Sequence, residues 1–368
     1  MNAIVLAGRR LALLNRARIY TCGITPYDVT HLGHAATFVW VDTLARVLRR
    51  CLRVEPVVCR NVTDVDDVLD SAAMRAGTRS DDFAAFQEFL FEGDMSALHV
   101  NRPDHEPWAH RYIGPVIRLA EALLESGAAY ERSGTVYFRG ADVPARAGVD
   151  RATALRLAAE FGGRPGDTDK DDPFDVALWQ ATEHDHQTWP SPWGQGRPGW
   201  HAECVAMALS VLGVGVDVHA GGADLRFPHH AYHAAIAETF TGVVPHTRAW
   251  FHVGAVTFGG AKMAKSTGNL VLIADLLAKH PAATVRMMIL DRPWHESWDY
   301  RPELLDAATD RVRLLHEAAA RPGPSESTAV DEVRSLLAAD LDVPAALAVA
   351  DEAGGDAARL LIAVLGLA

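Results

Sequence analysis

Residues 18–61 read as strand, long helix, strand, and that order leaves the chain little choice of architecture. Residues 18–22 form a short strand. Residues 34–52 carry Phe38, Val39, Val41, Leu44, Val47 and Leu48 at helical spacing, which gives one apolar face. Residues 56–61 return as a strand. Two strands joined by a helical crossover lie parallel, because a tight turn cannot connect parallel strands. The expected fold class is therefore α/β, with a doubly wound parallel sheet.

The pattern continues with helices at 66–76 and 80–98, then loosens over 100–198. There a helix at 114–126 and a hairpin at 129–138 precede the tract GGRPGDTDKDDPFD, rich in turn residues. Alternation resumes with a helix at 200–212, a strand at 216–219, a helix from His229 and a strand at 250–256. From Asp275 onward the chain is rich in Ala and Leu and mostly helical, with a linker at 321–328. The expected organisation is a catalytic sheet domain in two halves (1–99 and 199–274), a connective insertion (100–198) and a C-terminal helical bundle (275–368).

Composition narrows the class of protein. The 368 residues carry a net charge of -12, which argues against broad binding of nucleic acid, where phosphates call for basic surface. Four cysteines, Cys22, Cys51, Cys59 and Cys204, are too scattered for a disulfide framework and suit a reducing cytoplasm. The opening MNAIVLAGRRLALL has its apolar run before its arginines, the wrong order for a secretion signal. No apolar run reaches the roughly 18–20 residues of a membrane span. A cytoplasmic protein with no membrane partner is expected.

Three constellations carry chemistry. HLGH (His31–His34) opens the long helix, where unpaired N–H groups favour an anion. Gly33 leaves room for a flat ring on the backbone, and His31 and His34 share one face and can donate to phosphates. KMAKS follows two glycines, so Lys262 and Lys265 can swing onto a triphosphate. Finally, Cys22, Cys204, His229, His230 and His233 are soft and borderline metal ligands, and tetrahedral zinc takes four. Taken alone, these residues also fit capping histidines, a solvated lysine loop and buried thiols.

HLGH and KMAKS, in this order, resemble the HIGH and KMSKS signatures of class I aminoacyl-tRNA synthetases, which activate an amino acid with ATP. CGIT, GWHAEC and FPHH resemble the zinc motifs of the cysteinyl-tRNA synthetases and of the related mycothiol cysteine ligases. The resemblance implies zinc on Cys22, Cys204 and His229. His233 stands where the synthetases have a ligating glutamate and is a candidate fourth ligand, although the corresponding position of the ligases does not ligate, so the sequence leaves its role open. It further implies L-cysteine as substrate, held by its thiolate, and a Rossmann-like class I catalytic domain. Gly23, Ile24, Thr25 and Thr37 would lie near the adenylate. Asn61, Val62, Thr63 and Trp200 would line the cysteine pocket, although NVTD also suits a helix start and Trp200 a core. HAGGAD resembles the family's glycine turn, which implies nucleotide contacts at His219, Gly222, Ala223 and Asp224, with Val256 at the adenine. His31, His34, Lys262 and Lys265 would act on the phosphates.

Within this family, CGITPYDVTHLGHAAT and WPSPWGQGRPGWHAEC resemble the ligases more than the synthetases. About a hundred residues follow KMAKS, which suggests that no anticodon domain is present. The implied reaction is activation of L-cysteine to cysteinyl-adenylate and transfer to the amine of a small amino sugar, glucosaminyl-inositol, releasing AMP and pyrophosphate. Mg²⁺ is expected with ATP, and tRNA is not expected as a partner. His219, Ala220, His233 and Ala264 depart from the ligase pattern, and Ala220 is expected to narrow the glycine turn. The departures leave open a cysteine:amine ligase with another acceptor, a cysteinyl-tRNA synthetase lacking the anticodon domain, or a non-catalytic nucleotide-binding relative. For amide formation, Asp28 and His31 are the candidate bases.

Overall fold

The computed structural model describes residues 2–27, 29–182, 187–263, 268–322 and 327–368. The chain opens with a hairpin of β1 (Asn2–Leu6) and β2 (Arg9–Leu13) that sequence patterning did not anticipate. Its turn is made by Ala7 and Gly8, both at positive φ. The expected unit follows as β3 (Arg16–Ile24), α1 (Leu32–Cys51) and β4 (Glu55–Val62), then α2 (Asp67–Ala76) and α3 (Ser80–Ala97). The next stretch holds α4 (Ile113–Glu125), β5 (Ala129–Arg132), β6 (Thr135–Phe138), α5 (Val143–Arg146), α6 (Arg151–Glu160), β7 (Val176–Ala181), β8 (Trp189–Ser191) and β9 (Gly194–Pro198). Alternation then returns with α7 (Trp200–Leu212), β10 (Val216–Gly222), α8 (His229–Thr241) and β11 (Thr247–Val253).

The strands β11-β10-β3-β4 form one parallel sheet in that order. Period-two alternation decides its two faces. Ala17, Ile19, Val218, Ala220 and Phe251 join α1 in the main core. Tyr20, Cys22 and Cys59 point the other way, against Cys204, Met207 and Ala208 of α7. Helices thus cover both faces, as a parallel sheet requires. The insertion is larger than one hairpin: a five-stranded antiparallel sheet, β5-β6-β7-β9-β8, packs with α4 against α7 and α8.

The strand expected at 250–256 breaks at Gly254, where a Cβ would meet the Glu296 carbonyl oxygen at 2.1 Å. The chain then continues as β12 (Val256–Phe258), β13 (Ala261–Lys262), α9 (Ile273–Leu277), α10 (Ala282–Leu290) and β14 (Trp298–Tyr300). The C-terminal helices are α11 (Glu303–Ala319), α12 (Ser327–Ala338), α13 (Val343–Ala353) and α14 (Gly355–Leu365). They share one continuous core with α1. Fully buried Arg286 links the two regions, donating to Asp42 Oδ2 (2.9 Å), Leu365 O (2.7 Å) and Leu98 O (3.0 Å). Among the described residues, no helix is long and apolar enough to cross a membrane.

Candidate active site

A cleft of about 1090 Å³ opens at the C-terminal ends of the parallel strands, the usual place for a ligand in an open α/β sheet. Its first wall is the N-terminus of α1. His31 caps the helix in extended conformation, and its Nδ1 accepts from Gly33 N–H at 3.1 Å. A neutral ring held this way carries its proton on Nε2. His34 stacks on it, ring centroids 3.8 Å apart. No acidic residue occupies the first helical turn, so the positive end of the helix dipole is uncompensated there. A Cβ on Gly33 would meet the His31 ring at 3.0 Å, so this glycine makes room for the chain's own imidazole.

The opposite end of the cleft is a thiol and imidazole cluster. The ligand atoms of Cys22, Cys204 and His229 all lie within 4.8 Å of one another, and all three residues are buried. Cys22 comes from the end of β3, Cys204 from the second turn of α7 and His229 from the start of α8. Gly23 makes the close strand approach possible, since a Cβ there would fall 1.7 Å from the Asn61 carbonyl oxygen. The Asn61 side chain accepts from Gly23 N–H at 3.1 Å, and its Nδ2 donates to Thr63 Oγ1 at 3.0 Å and toward Cys204 Sγ at 3.6 Å. His229 Nδ1 bonds His201 Nδ1 at 2.9 Å, and Trp200 stacks on His229 with centroids 4.0 Å apart.

Burial, then the neighbouring Cys204, pushes the Cys22 thiol well above its ordinary value. Burial, then His201, holds His229 well below its own, so its imidazole is neutral, the form that ligates. Two sulfurs, a neutral imidazole and an outer hydrogen-bond partner for that imidazole are a donor set suited to zinc. A cation at the sulfurs would reverse the thiol shift, because a coordinating thiol loses its proton.

Between these ends lie Ile24, Thr25, Thr37 and Val256, with Gly222 at the end of β10 and Ala223 and Asp224 just after it. Lys262 donates to Asp224 Oδ2 at 2.7 Å across the cleft mouth. Lys265 lies outside the described residues, as do Asp28, Ala264 and Ser266.

Three expected positions are not in the cleft wall. Val62 is buried between Asn61 and Thr63, facing away by strand alternation. His219, expected at the nucleotide, is fully buried on the sheet face beside Cys22, with Nε2 3.7 Å from its sulfur. His233 lies outside the Cys22–Cys204–His229 trio and packs instead on Tyr20, His219 and His246. Ala220 faces the main core, so its methyl group does not narrow the turn. The glycines of that turn serve internal contacts: a Cβ on Gly221 would meet the His230 ring at 2.8 Å, and one on Gly222 would meet Asp224 Oδ1 at 2.6 Å.

Other cleft residues were not singled out from sequence. Arg75 and Phe83, on α2 and α3, and Glu160 of α6 line the outer wall. They sit on surface-like helical stretches with no distinguishing spacing. Behind the cleft wall, His201, the partner of His229, did carry a signal, being part of GWHAEC.

Residues 11–310 match the family of tRNA synthetases class I (C) catalytic domains. The chain belongs to this family. A Streptomyces coelicolor relative, "L-cysteine:1D-myo-inositol 2-amino-2-deoxy-alpha-D-glucopyranoside ligase", is 44% identical over 342 residues, covering 91% of this chain and 83% of the relative. A Mycobacterium ulcerans protein of the same name is 43% identical over 358 residues, covering 95% and 87%. Among solved structures, Mycobacterium tuberculosis methionyl-tRNA synthetase bound by methionyl-adenylate superposes with a TM-score of 0.67 at 16% identity, covering 95% of this chain and 88% of that one. The fold is therefore that of a class I synthetase, and the chain is an ATP-dependent ligase of this family.

Proposed function

We propose that the chain activates L-cysteine with ATP and transfers it to the amine of a small amino sugar of the glucosaminyl-inositol type. The observation that carries this reading is that one cleft joins the Cys22–Cys204–His229 trio to the helix start with His31 and His34 and to Lys262. Its volume lies just above the roughly 300–1,000 Å³ common for small-molecule sites, which leaves room for an adenylate and an acceptor. In this reading residues 1–99 and 199–274 form the catalytic unit.

Zinc held by Cys22, Cys204 and His229 would supply a thiophilic Lewis acid with a fourth position for the substrate thiolate, which the hydroxyl of serine fills poorly. Asn61 keeps the Cys204 sulfur oriented, and Trp200 closes the pocket over His229. In the first step the cysteine carboxylate oxygen attacks the α-phosphorus, and the bond to the pyrophosphate oxygen breaks. His31 Nε2–H, His34 and the α1 N-terminus would stabilise charge on the phosphates. Lys262 joins them by leaving Asp224, whose carboxylate then accepts from the ribose hydroxyls. In the second step the neutral amine attacks the adenylate carbonyl and AMP departs. His31 is not the base for this step in the arrangement seen, because its Nδ1 lone pair is taken by Gly33 N–H. No tRNA groove is needed.

The test is mass spectrometry of products from cysteine, ATP and a panel of amines. A cysteinyl amide of glucosaminyl-inositol, with AMP, is the expected result. Charging of tRNA with cysteine, or cysteine-dependent pyrophosphate exchange with no amine accepted, would overturn the reading.

A further inference from the structure

Cys22 belongs to two trios. Besides Cys204 and His229, its sulfur meets His230 Nε2 at 3.2 Å and His219 Nε2 at 3.7 Å, and the ligand atoms of Cys22, His219 and His230 also lie within 4.8 Å of one another. All three are buried. A tetrahedral zinc with bonds of about 2.3 Å to sulfur and about 2.1 Å to nitrogen sets a sulfur–nitrogen edge of roughly 3.6 Å, and the two separations straddle it. His230 Nδ1 bonds His252 Nε2 at 2.9 Å, the outer support that ligating histidines use. His219 Nδ1 is buried without a hydrogen-bond partner. His233 adjoins it, ring centroids 4.5 Å apart, with both of its nitrogens unpartnered, so a fourth donor is at hand.

We infer that Cys22, His219 and His230 form a second position for a thiophilic divalent cation, which shares the Cys22 thiolate with the substrate-binding position. The inference rests on the proposed function only through that shared sulfur. Strand pairing explains the layout. His219 is the register partner of Tyr20 across β10 and β3, two residues before Cys22, and α8 lays successive histidines over that edge, His229 toward Cys204 and His230 toward His219. The second position has one shared thiolate and otherwise neutral donors, so it holds net positive charge in a dry interior. It binds roughly tenfold or more weakly than the first. His233, anticipated as a ligand of the first position, belongs to this second neighbourhood.

Zinc itself is the probe. The full chain is titrated with Zn²⁺ against a competing chelator, and bound metal is counted after gel filtration. The unaltered chain is expected to hold two equivalents in two affinity classes. His230→Gln and His219→Asn are each expected to hold one, with the tighter affinity changed less than about threefold. Co²⁺ spectra of the unaltered chain give a reading that needs no variant: the first equivalent brings strong thiolate charge-transfer absorption, and the second adds a nitrogen-rich site with little more. One equivalent at saturating zinc, or two retained in both variants, would overturn the inference. Cysteine-dependent pyrophosphate exchange by the zinc-saturated, unaltered chain separates the two ideas. Exchange without a second equivalent defeats this site and keeps the function; two equivalents without exchange do the reverse.

Discussion

Gly23→Ala tests the link between strand packing and the thiol cluster most directly. The added Cβ would stand 1.7 Å from the Asn61 carbonyl oxygen and 2.9 Å from its carbon, where contacts under 3.0 Å essentially do not occur. Both partners are backbone, so β3 and β4 must part by more than an ångström next to Cys22. The Gly23 N–H bond to Asn61 Oδ1, now 3.1 Å, breaks or lengthens. Overpacking costs about 1–3 kcal/mol and the lost hydrogen bond about 1 kcal/mol more. Displacement of Cys22 from Cys204 on that scale should lower kcat/KM for cysteine roughly 100-fold and reduce bound zinc. Urea unfolding, metal content and cysteine-dependent pyrophosphate exchange read the three effects. Gly93→Ala is the control: Gly93 lies inside α3 with no atom within 4 Å of a new Cβ, so it should gain about 0.5–1 kcal/mol with exchange unchanged. Gly23→Ala with normal zinc and normal cysteine use would refute the reasoning.

Three further outcomes are expected. Arg286→Ala leaves the Leu98 and Leu365 carbonyls without this donor and takes one of two arginines from Asp42, which keeps Arg46 and Asn101, so stability should fall by about 2–4 kcal/mol in urea unfolding; a loss under about 1 kcal/mol would mean that this linkage is not structural. Lys262→Ala should leave stability within about 0.5 kcal/mol, because its bridge to Asp224 is exposed, yet slow pyrophosphate exchange by roughly 100-fold or more. Unchanged exchange would remove Lys262 from the phosphate chemistry. Burial, then Glu106 and Glu92, raises the Glu88 carboxyl to about 7, so its protonated form favours folding. That contribution is complete below the unfolded value of 4.5 and is lost as pH rises through about 7. Glu88→Gln should therefore lessen the fall in Tm between about pH 5 and about pH 7.5, and an identical fall in both proteins would count against the assignment.

Local pattern was enough for some of this protein. The apolar spacing in residues 34–52 and the flanking strands determine a helical crossover, and with it a parallel sheet, because helix and strand periodicities are properties of neighbouring residues. Cys22, Cys204 and His229 were legible through the resemblance of CGIT, GWHAEC and FPHH to family motifs; residue type and spacing alone left His230 and His233 among the candidates. Much else depended on which distant atoms the fold brings together. The N-terminal hairpin has no turn signature beyond Ala7 and Gly8, and the insertion's sheet joins the hairpin expected at 129–138 to β7, which lies nearly forty residues further along the chain. The two histidines His229 and His230 are adjacent in sequence, yet one faces Cys204 and the other His219. His233, at helical spacing from His229, falls outside that trio because the pairing of β3 with β10 sets where Cys22 stands relative to α8. Spacing along a chain constrains only relative direction within one element; the position of one element over another is decided by packing, and ligand sets drawn from three elements follow the packing.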